Sequence, residues 1–316
     1  MASFLPGRSF SIVLWAALAL IPAVSAESQA ALRKVAAEGG EIAVEGDASP
    51  PASLVESLDE TCRRISLKLA SVSYEECRGA GLEGAGWDSV LGIPLLVREF
   101  PPLENRRPLG RILLIGGIHG DEYSSVSVVF KWLEILGRHH SGLFHWRVAP
   151  LVNPDGLLRV QSTRMNENGV DLNRNFPCPD WHQATSDYWV RKTSRNPRRY
   201  PGRDPLSEPE SRWLAREIER FQPDVIVSVH APHNVLDFDG PPKPPDRLGS
   251  LQLHLMGTYP GSLGRYAGVH NGLPVVTIEL PSAGTMPNDE EQRAIWMDLV
   301  SWLRQRLEPP RREIAR

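Results

Sequence analysis

The chain has no excess of basic residues and little apolar sequence of the length that crosses a membrane. Among its 316 residues, 35 lysines and arginines are outnumbered by 38 aspartates and glutamates, for a formal net charge of -3. A nucleic-acid partner is therefore not expected, because phosphate binding depends on a basic surface. The apolar stretch at residues 12–21 is shorter than the ~20 residues that a spanning helix needs.

The N-terminal stretch fits a secretory signal better than a membrane anchor. Arg8 lies in a short basic start, residues 12–21 form the apolar core, and Val-Ser-Ala at residues 24–26 is a small-residue cleavage site. We expect residues 1–26 to be a signal peptide and the mature protein to be secreted into the periplasm. No stable membrane anchor is expected after cleavage.

Cysteine is scarce, with three in the whole chain. Export to an oxidising compartment favours disulfides, and Cys62 and Cys77 flank a segment with a helical pattern, so we predict that they pair. The closed loop would stabilise the fold by ~3 kcal/mol, acting through the unfolded state. Cys178 is left over and is expected to be a buried free thiol.

The rest of the sequence predicts one domain at residues 53–308, between a flexible mature N-terminus at residues 27–52 and a C-terminal tail at residues 309–316. Within it, apolar runs of strand length alternate with helical patterns. The predicted strands are residues 94–100, 111–115, 145–152, 224–229 and 275–280, and the predicted helices are residues 124–136, 208–221 and 289–307. Strands nearly continuous in Val, Ile and Leu indicate an α/β fold, with a mostly parallel mixed sheet and helices on both faces.

Two further segments carry local signals. Ser207-Glu-Pro-Glu210 precedes the second predicted helix and predicts a capping box with proline in the first turn. Residues 191–203 form a stretch rich in arginine and proline. This stretch fits a solvated loop best, and recognition of an anionic substrate is the alternative.

Polar residues lie at the carboxyl ends of four predicted strands. They are His119, Asn153, His230 and Glu279. Ligands of open α/β sheets bind outside these strand ends, so we expect the four side chains to lie at one rim. His119 and Glu122 share a glycine-rich turn, and His230 completes the two histidines and one glutamate that a hydrolytic zinc site commonly uses.

Five ordered motifs resemble the zinc carboxypeptidase family. They are Gly117-Ile-His-Gly-Asp-Glu122, Asn153-Pro-Asp-Gly156, the Asp-Leu-Asn-Arg run at residues 171–174 with the arginine at 164 before it, Ser228-Val-His230, and Thr277-Ile-Glu-Leu280. Within the family, Tyr259-Pro-Gly-Ser-Leu-Gly264 and Asp237-Phe-Asp-Gly-Pro241 are most similar to the murein peptide amidase A branch. The resemblance implies a zinc-dependent peptidase or amidase with one zinc ion per chain.

The resemblance also implies a role for each matching residue at the reacting centre. His119, Glu122 and His230 would bind the zinc. Glu279 would be the general base, and Arg164 would stabilise the oxyanion that forms during hydrolysis.

Further matching residues would form the substrate site. Asn173 and Arg174 would hold a terminal carboxylate, because a guanidinium binds a carboxylate with two hydrogen bonds. Tyr259, or as a second candidate Tyr266, would close over that carboxylate. Leu263 would form the base of the side-chain pocket.

Asp237 and Asp239 have two interpretations. They could bind a basic group of the substrate, or they could form an Asp-Gly turn followed by proline without any contact with the substrate. The sequence alone favours neither.

The expected activity is hydrolysis of the amide between γ-D-glutamate and diaminopimelate in bacterial cell-wall peptides. One alternative is an acyl-amino-acid deacylase of the succinylglutamate desuccinylase and aspartoacylase type, which shares the histidine–glutamate and Asp-Leu-Asn-Arg motifs. Another is a peptidoglycan-binding relative that has lost turnover. The complete ligand, base and arginine set favours an enzyme, and no motif bears on its oligomeric state.

Overall fold

The structure, a computed structural model, describes residues 52–241 and 243–307, with side chains from residue 58 onward. The predicted signal peptide, the stretch at residues 27–51 and the tail lie outside the described residues, so these stay predictions. No helix of the described part is both long and apolar enough to span a membrane.

A seven-stranded mixed sheet forms the centre of the fold. Its strands are β1 (Glu83–Asp88), β2 (Pro94–Phe100), β3 (Arg111–Ile115), β4 (His145–Ala149), β5 (Val225–His230), β6 (Val235–Asp239) and β9 (Val275–Glu279), and a separate hairpin contains β7 (Arg247–Leu248) and β8 (Leu251–Gln252). The order across the sheet is β1-β2-β4-β3-β5-β9-β6. The four central strands β4, β3, β5 and β9 are parallel, so their carboxyl ends meet at one rim.

Helices cover both faces of this sheet, as the sequence predicts. They are α1 (Ala52–Lys68), α2 (Tyr74–Gly79), α3 (Tyr123–His139), α4 (Pro154–Leu158), α5 (Trp181–Asp187), α6 (Pro209–Phe221) and α7 (Asp289–Leu307). On β3, Ile112 and Leu114 pack on the face covered by α1, α3 and α7, whereas Leu113 and Ile115 pack on the face covered by α6. A strand buried on both faces explains the continuous apolar run in the sequence.

The boundaries of β2, β3 and α7 agree with the predicted ones. Strand β5 is shifted by one residue, β9 and α6 are each one residue shorter, and α3 and β4 differ by more. Helix α3 is longer than predicted, because it continues to His139. Strand β4 ends at Ala149, before residue 152, because the chain turns there toward the end of β3. The backbone N–H of Val152 donates to the carbonyl of Gly116 at 3.1 Å, which is part of that turn.

The predicted capping box before α6 is wrong. Glu208 is the N-cap of this helix, and its side chain makes no capping hydrogen bond. The hydroxyl of Ser207 donates to the carboxylate of Glu208 at 2.6 Å, so it does not serve the helix backbone. Glu210 is fully buried and accepts a hydrogen bond from Asn166 Nδ2 at 3.1 Å. Tertiary partners therefore replace the local capping pattern.

A disulfide joins the first two helices. Cys62 in α1 and Cys77 in α2 are bonded, with their Cα atoms 5.5 Å apart. Both cysteines are fully buried and belong to the core cluster that also contains residues of α3. Cys178 is free, and it is half-buried where the sequence predicted a buried thiol, because it lies in the loop before α5.

We predict that the double variant Cys62→Ser/Cys77→Ser lowers the free energy of unfolding by ~3 kcal/mol, because the unfolded chain regains the freedom that the closed loop removes. Chemical denaturation without reductant measures this loss. Cys178→Ser is the matched control and should change stability little. A loss of less than about 1 kcal/mol in the double variant would contradict the assignment of a stabilising role.

Candidate metal centre and substrate cleft

Three potential metal ligands come from two adjacent parts of the sheet rim. His119 and Glu122 lie in the turn between β3 and α3, and His230 is the last residue of β5. All three side chains are buried, and one ligand atom from each lies within 4.8 Å of the others. Glu279 ends the neighbouring strand β9, directly opposite His230 in the parallel pairing.

Glycine makes the turn after β3 possible. A Cβ atom at Gly120 would lie 2.2 Å from the backbone of Gly156, so a side chain cannot fit there. Gly117 has a φ of +61°, which glycine adopts without steric cost. This close backbone contact holds the turn with His119 and Glu122 against the turn that follows β4.

The Glu122 carboxylate lies between the two imidazoles. His119 Nδ1 is 2.7 Å from one of its oxygens, and His230 Nδ1 is 3.1 Å from the other. Burial opposes ionisation of Glu122, but the charges of His119 and His230 prevail and hold its pKa well below the usual range. The carboxylate therefore stays charged, as a metal ligand must.

The outward nitrogen of each histidine lies near a polar side chain. His119 Nε2 lies 3.3 Å from Asp171 Oδ1, and His230 Nε2 lies 3.0 Å from Ser228 Oγ. Contacts of this kind orient a metal-binding imidazole. His119 Nδ1 also lies 3.1 Å from Arg164 Nη1. Nδ1 of both rings faces the common carboxylate, so the donor set and its orientation fit a zinc ion held by two histidines and one glutamate.

Two charged side chains flank this centre. Arg164 donates from Nε to Asp171 at 2.8 Å, and its Nη1 lies 3.6 Å from Glu122. Glu279 is 7% exposed, and its Oε2 has no hydrogen-bond partner among the described residues. A buried carboxylate oxygen without a partner is costly, which indicates that a ligand normally completes its environment.

Arg174 lies between two tyrosine rings in the same cleft. Its guanidinium carbon is 4.6 Å from the ring centre of Tyr259 and 5.5 Å from that of Tyr188. Asn173 Oδ1 accepts a hydrogen bond from the backbone N–H of Leu263 at 2.8 Å, which links the two segments that line the cleft. Tyr266 instead stacks on Phe176 and does not line the cleft.

The inner wall of the cleft contains an acidic pair. The cleft has a volume of about 390 Å³, and Asp237, Asp239 and Leu263 all line it. Burial and the neighbouring charge of Asp237 raise the pKa of Asp239 to about 7. Burial also raises the pKa of Asp237, although the backbone N–H of Met256 donates to it. Both aspartates lie on β6, and Asp239 ends the strand directly before the bend at Gly240, which has a φ of +94°.

Several lining residues were not expected from the sequence. Tyr188 and Arg199 come from the segment after the Asp-Leu-Asn-Arg motif, and His254 and Met256 come from the loop after β8. The basic stretch was the available signal for Arg199, but a solvated loop was the favoured interpretation. The structure brings Arg199 from this stretch into the wall of the cleft.

Sequence comparison identifies the family. A family profile described as zinc carboxypeptidase matches residues 86–239. Murein peptide amidase A of Escherichia coli (strain K12) is 33% identical over 225 residues, which is 68% of this chain and 87% of that protein. The chain belongs to the zinc carboxypeptidase family.

Solved structures agree with this assignment. The crystal structure of murein-tripeptide amidase from Escherichia coli O157 matches with a TM-score of 0.51 and 31% identity, over 73% of this chain and 93% of that one. Carboxypeptidase A from Helicoverpa armigera matches with a TM-score of 0.54 over 89% of this chain and 80% of that one. At 15% identity, the second match shows a shared fold alone.

The predicted zinc ligands of this zinc carboxypeptidase are thereby confirmed. His119, Glu122 and His230 form the one group of potential metal ligands found among the described residues, and they are the family's zinc site. The chain is a zinc-dependent hydrolase of the carboxypeptidase and murein amidase type.

Loss of a residue that only contacts a metal ligand typically weakens metal binding by about 10- to 100-fold. We predict that Glu122→Gln, which changes a ligand itself, weakens zinc binding by more than this. The amide cannot supply the charged oxygen. Asp121→Asn is the matched control, because Asp121 pairs with Arg198 at 2.7 Å and is not in the ligand group. Competition with a chromophoric chelator measures the affinity. Equal affinity in the two variants would remove Glu122 from the ligand set.

Proposed function

We propose that the protein hydrolyses the amide between γ-D-glutamate and diaminopimelate in bacterial cell-wall peptides, next to a free carboxylate. The observation that carries this proposal is the distribution of charge in the cleft, with Arg174 flanked by two tyrosines and Asp237 and Asp239 on the inner wall. Diaminopimelate carries a carboxylate and a distal ammonium group, which match these two charges. The similarity to murein peptide amidase A supports the same substrate.

We assign Glu279 as the general base of the reaction. When bound, zinc acidifies water and polarises the scissile carbonyl. The Glu279 carboxylate accepts the proton of the attacking water and donates it to the leaving nitrogen, which departs as an amine. The unpaired oxygen of Glu279 and its position opposite His230 suit this role.

Arg164 would stabilise the negative charge that develops on the carbonyl oxygen. Its guanidinium is held by Asp171 at 2.8 Å, so it is oriented before the substrate binds. A fixed positive group aimed at developing charge needs little reorganisation during the reaction.

Asn173 and Arg174 would bind the free carboxylate on the leaving side. Tyr259 packs against the Arg174 guanidinium and is 38% exposed, so it is available to cover a bound carboxylate. Arg174 Nε is buried without a hydrogen-bond partner among the described residues, which leaves a donor for a ligand.

Leu263, Asp237 and Asp239 would receive the diaminopimelate side chain. Leu263 is buried and offers an apolar wall for the methylene groups. The two aspartates would pair with the distal ammonium, whose charge offsets their mutual repulsion. A buried acidic pair without a basic partner otherwise favours protonation, as the raised pKa of Asp239 indicates.

We also propose that the protein is exported to the periplasm, where such peptides occur. The support is the signal-like sequence at residues 1–26 and the disulfide between Cys62 and Cys77, which is typical of oxidising compartments.

We predict that Glu279→Gln retains zinc but lowers kcat for the wall tripeptide by about 10²- to 10⁴-fold, because the amide cannot accept the water's proton. Mass spectrometry of tripeptide incubated with wild type and variant measures the released diaminopimelate. Zinc content, determined in parallel, is the control. Activity within a few-fold of wild type would exclude Glu279 as the base. Absence of wild-type cleavage would overturn the proposed substrate.

We predict that Asp239→Asn reduces the preference for a diaminopimelate peptide over its analogue without the distal amino group by about tenfold, through loss of a charge-assisted contact. In the wild type this preference should grow as pH rises through about 7, because the Asp239 carboxyl is neutral below its raised pKa and charged above it. Measurement of kcat/KM for both peptides across pH gives the ratio.

Asp246→Asn is the matched control for this comparison, because Asp246 is an exposed carboxylate paired with Lys243 outside the cleft. It should leave the ratio unchanged. If Asp239→Asn also leaves the ratio unchanged at every pH, the acidic pair does not recognise the ammonium.

A further inference from the structure

Arg199 is a positively charged residue of the cleft that has no hydrogen-bonded carboxylate partner among the described residues. Its side chain is 34% exposed and lines the cleft. The nearest carboxylate is that of Asp171, at 3.8 Å, and Arg164 already binds that group at 2.8 Å. The Arg199 guanidinium donates no hydrogen bond to any residue of the described part. Its five donors are therefore available to a ligand.

The surroundings of Arg199 disfavour an unpaired positive charge. Burial lowers the pKa of Arg199, and the nearby charges of Arg164 and Arg174 lower it further, against the opposing effect of Asp171. Three guanidinium groups thus surround one carboxylate that is already hydrogen-bonded. An anion bound beside Arg199 would relieve this repulsion.

Arg199 is held in place by its own segment. It ends the short 3₁₀ turn Pro197–Arg199, which Asn196 caps. On one side, Arg198 pairs with Asp121 at 2.7 Å, next to the zinc ligand Glu122. On the other side, the Tyr200 carbonyl accepts the backbone N–H of Asp171 at 2.8 Å. The backbone on each side of Arg199 is therefore attached to the site, which limits the positions that the guanidinium can take.

We propose that Arg199 binds a second carboxylate of the substrate, separate from the one at Asn173 and Arg174, and that it restricts the enzyme to diacidic peptides. This inference rests on the proposed function. The wall tripeptide offers two sources of that carboxylate: the α-carboxylate of the glutamyl residue and the distal carboxylate of diaminopimelate. Both have the same chemistry, and the experiment distinguishes them.

The test measures equilibrium binding by calorimetry to the full chain carrying Glu279→Gln, loaded with zinc so that the peptide is not consumed. Three peptides are compared: the tripeptide, its glutamyl α-amide, and its distal diaminopimelate amide. With Arg199 present, one of the amides should bind about 10- to 100-fold more weakly than the tripeptide. Addition of Arg199→Gln should reduce that penalty to within about threefold, as in a double-mutant cycle.

The amide that binds more weakly than the tripeptide shows which carboxylate Arg199 binds. Arg199→Lys should retain part of the penalty, because an ammonium keeps the charge and loses the planar fork. Arg203→Gln is the matched control: Arg203 is exposed, lies in the same segment and does not line the cleft. It removes the same charge and should leave all penalties unchanged. Each comparison is the ratio of two affinities measured for the same variant. A general change in the stability of that variant therefore does not alter it.

The inference would be overturned if amidation weakened binding by the same factor with and without Arg199→Gln. It would also be overturned if the Glu279→Gln protein bound all three peptides equally. Cleavage of the tripeptide by the wild type together with either result would leave the proposed function standing and remove only the role of Arg199. Absence of both cleavage and tripeptide binding would overturn both proposals.

Discussion

The buried carboxylate of Asp171 holds the metal centre and the substrate cleft in one arrangement. It is fully buried, yet it accepts a hydrogen bond from Arg164, lies beside His119 Nε2, and accepts the backbone N–H of Asn173. Burial opposes its ionisation, but Arg164 and His119 prevail and keep its pKa well below the usual range. One charge therefore orients a zinc ligand, Arg164 and the turn that carries Arg174. Its loss would leave Arg164 buried without its main partner, which is costly.

Parallel strand pairing brings the remaining groups to the same place. Strands β5 and β9 are adjacent and aligned, so their last residues, His230 and Glu279, lie side by side. Strand β3 is the other neighbour of β5, and it delivers His119 and Glu122. The ligands and the proposed base thus depend on hydrogen bonds along strands whose side chains are buried in two cores. This is why groups from distant parts of the chain meet within a few ångströms.

The central strands and the zinc ligands could be predicted from the sequence because their signals are local. The apolar run at β3, for example, reflects burial on both faces, and the histidine–glutamate spacing follows directly after it. The capping box at Ser207 was wrong, because Glu210 is drawn inward by Asn166, far away in sequence. Tyr188 and Arg199 were not expected either. Their positions depend on long-range pairs such as Arg198 with Asp121, which no local pattern reveals.

The segment that carries Tyr188 and Arg199 is joined to the rest of the site through Asp121 and the backbone of Asp171, and the Tyr188 ring also packs against Arg174 and Tyr259. The ion pair with Asp121 and the hydrogen bond from the Asp171 backbone use neither the Tyr188 nor the Arg199 side chain. Substitutions at those two positions can therefore accumulate while the metal ligands and the sheet remain untouched. Changes in this segment can therefore alter the shape and charge of the cleft while the residues of the metal centre stay the same.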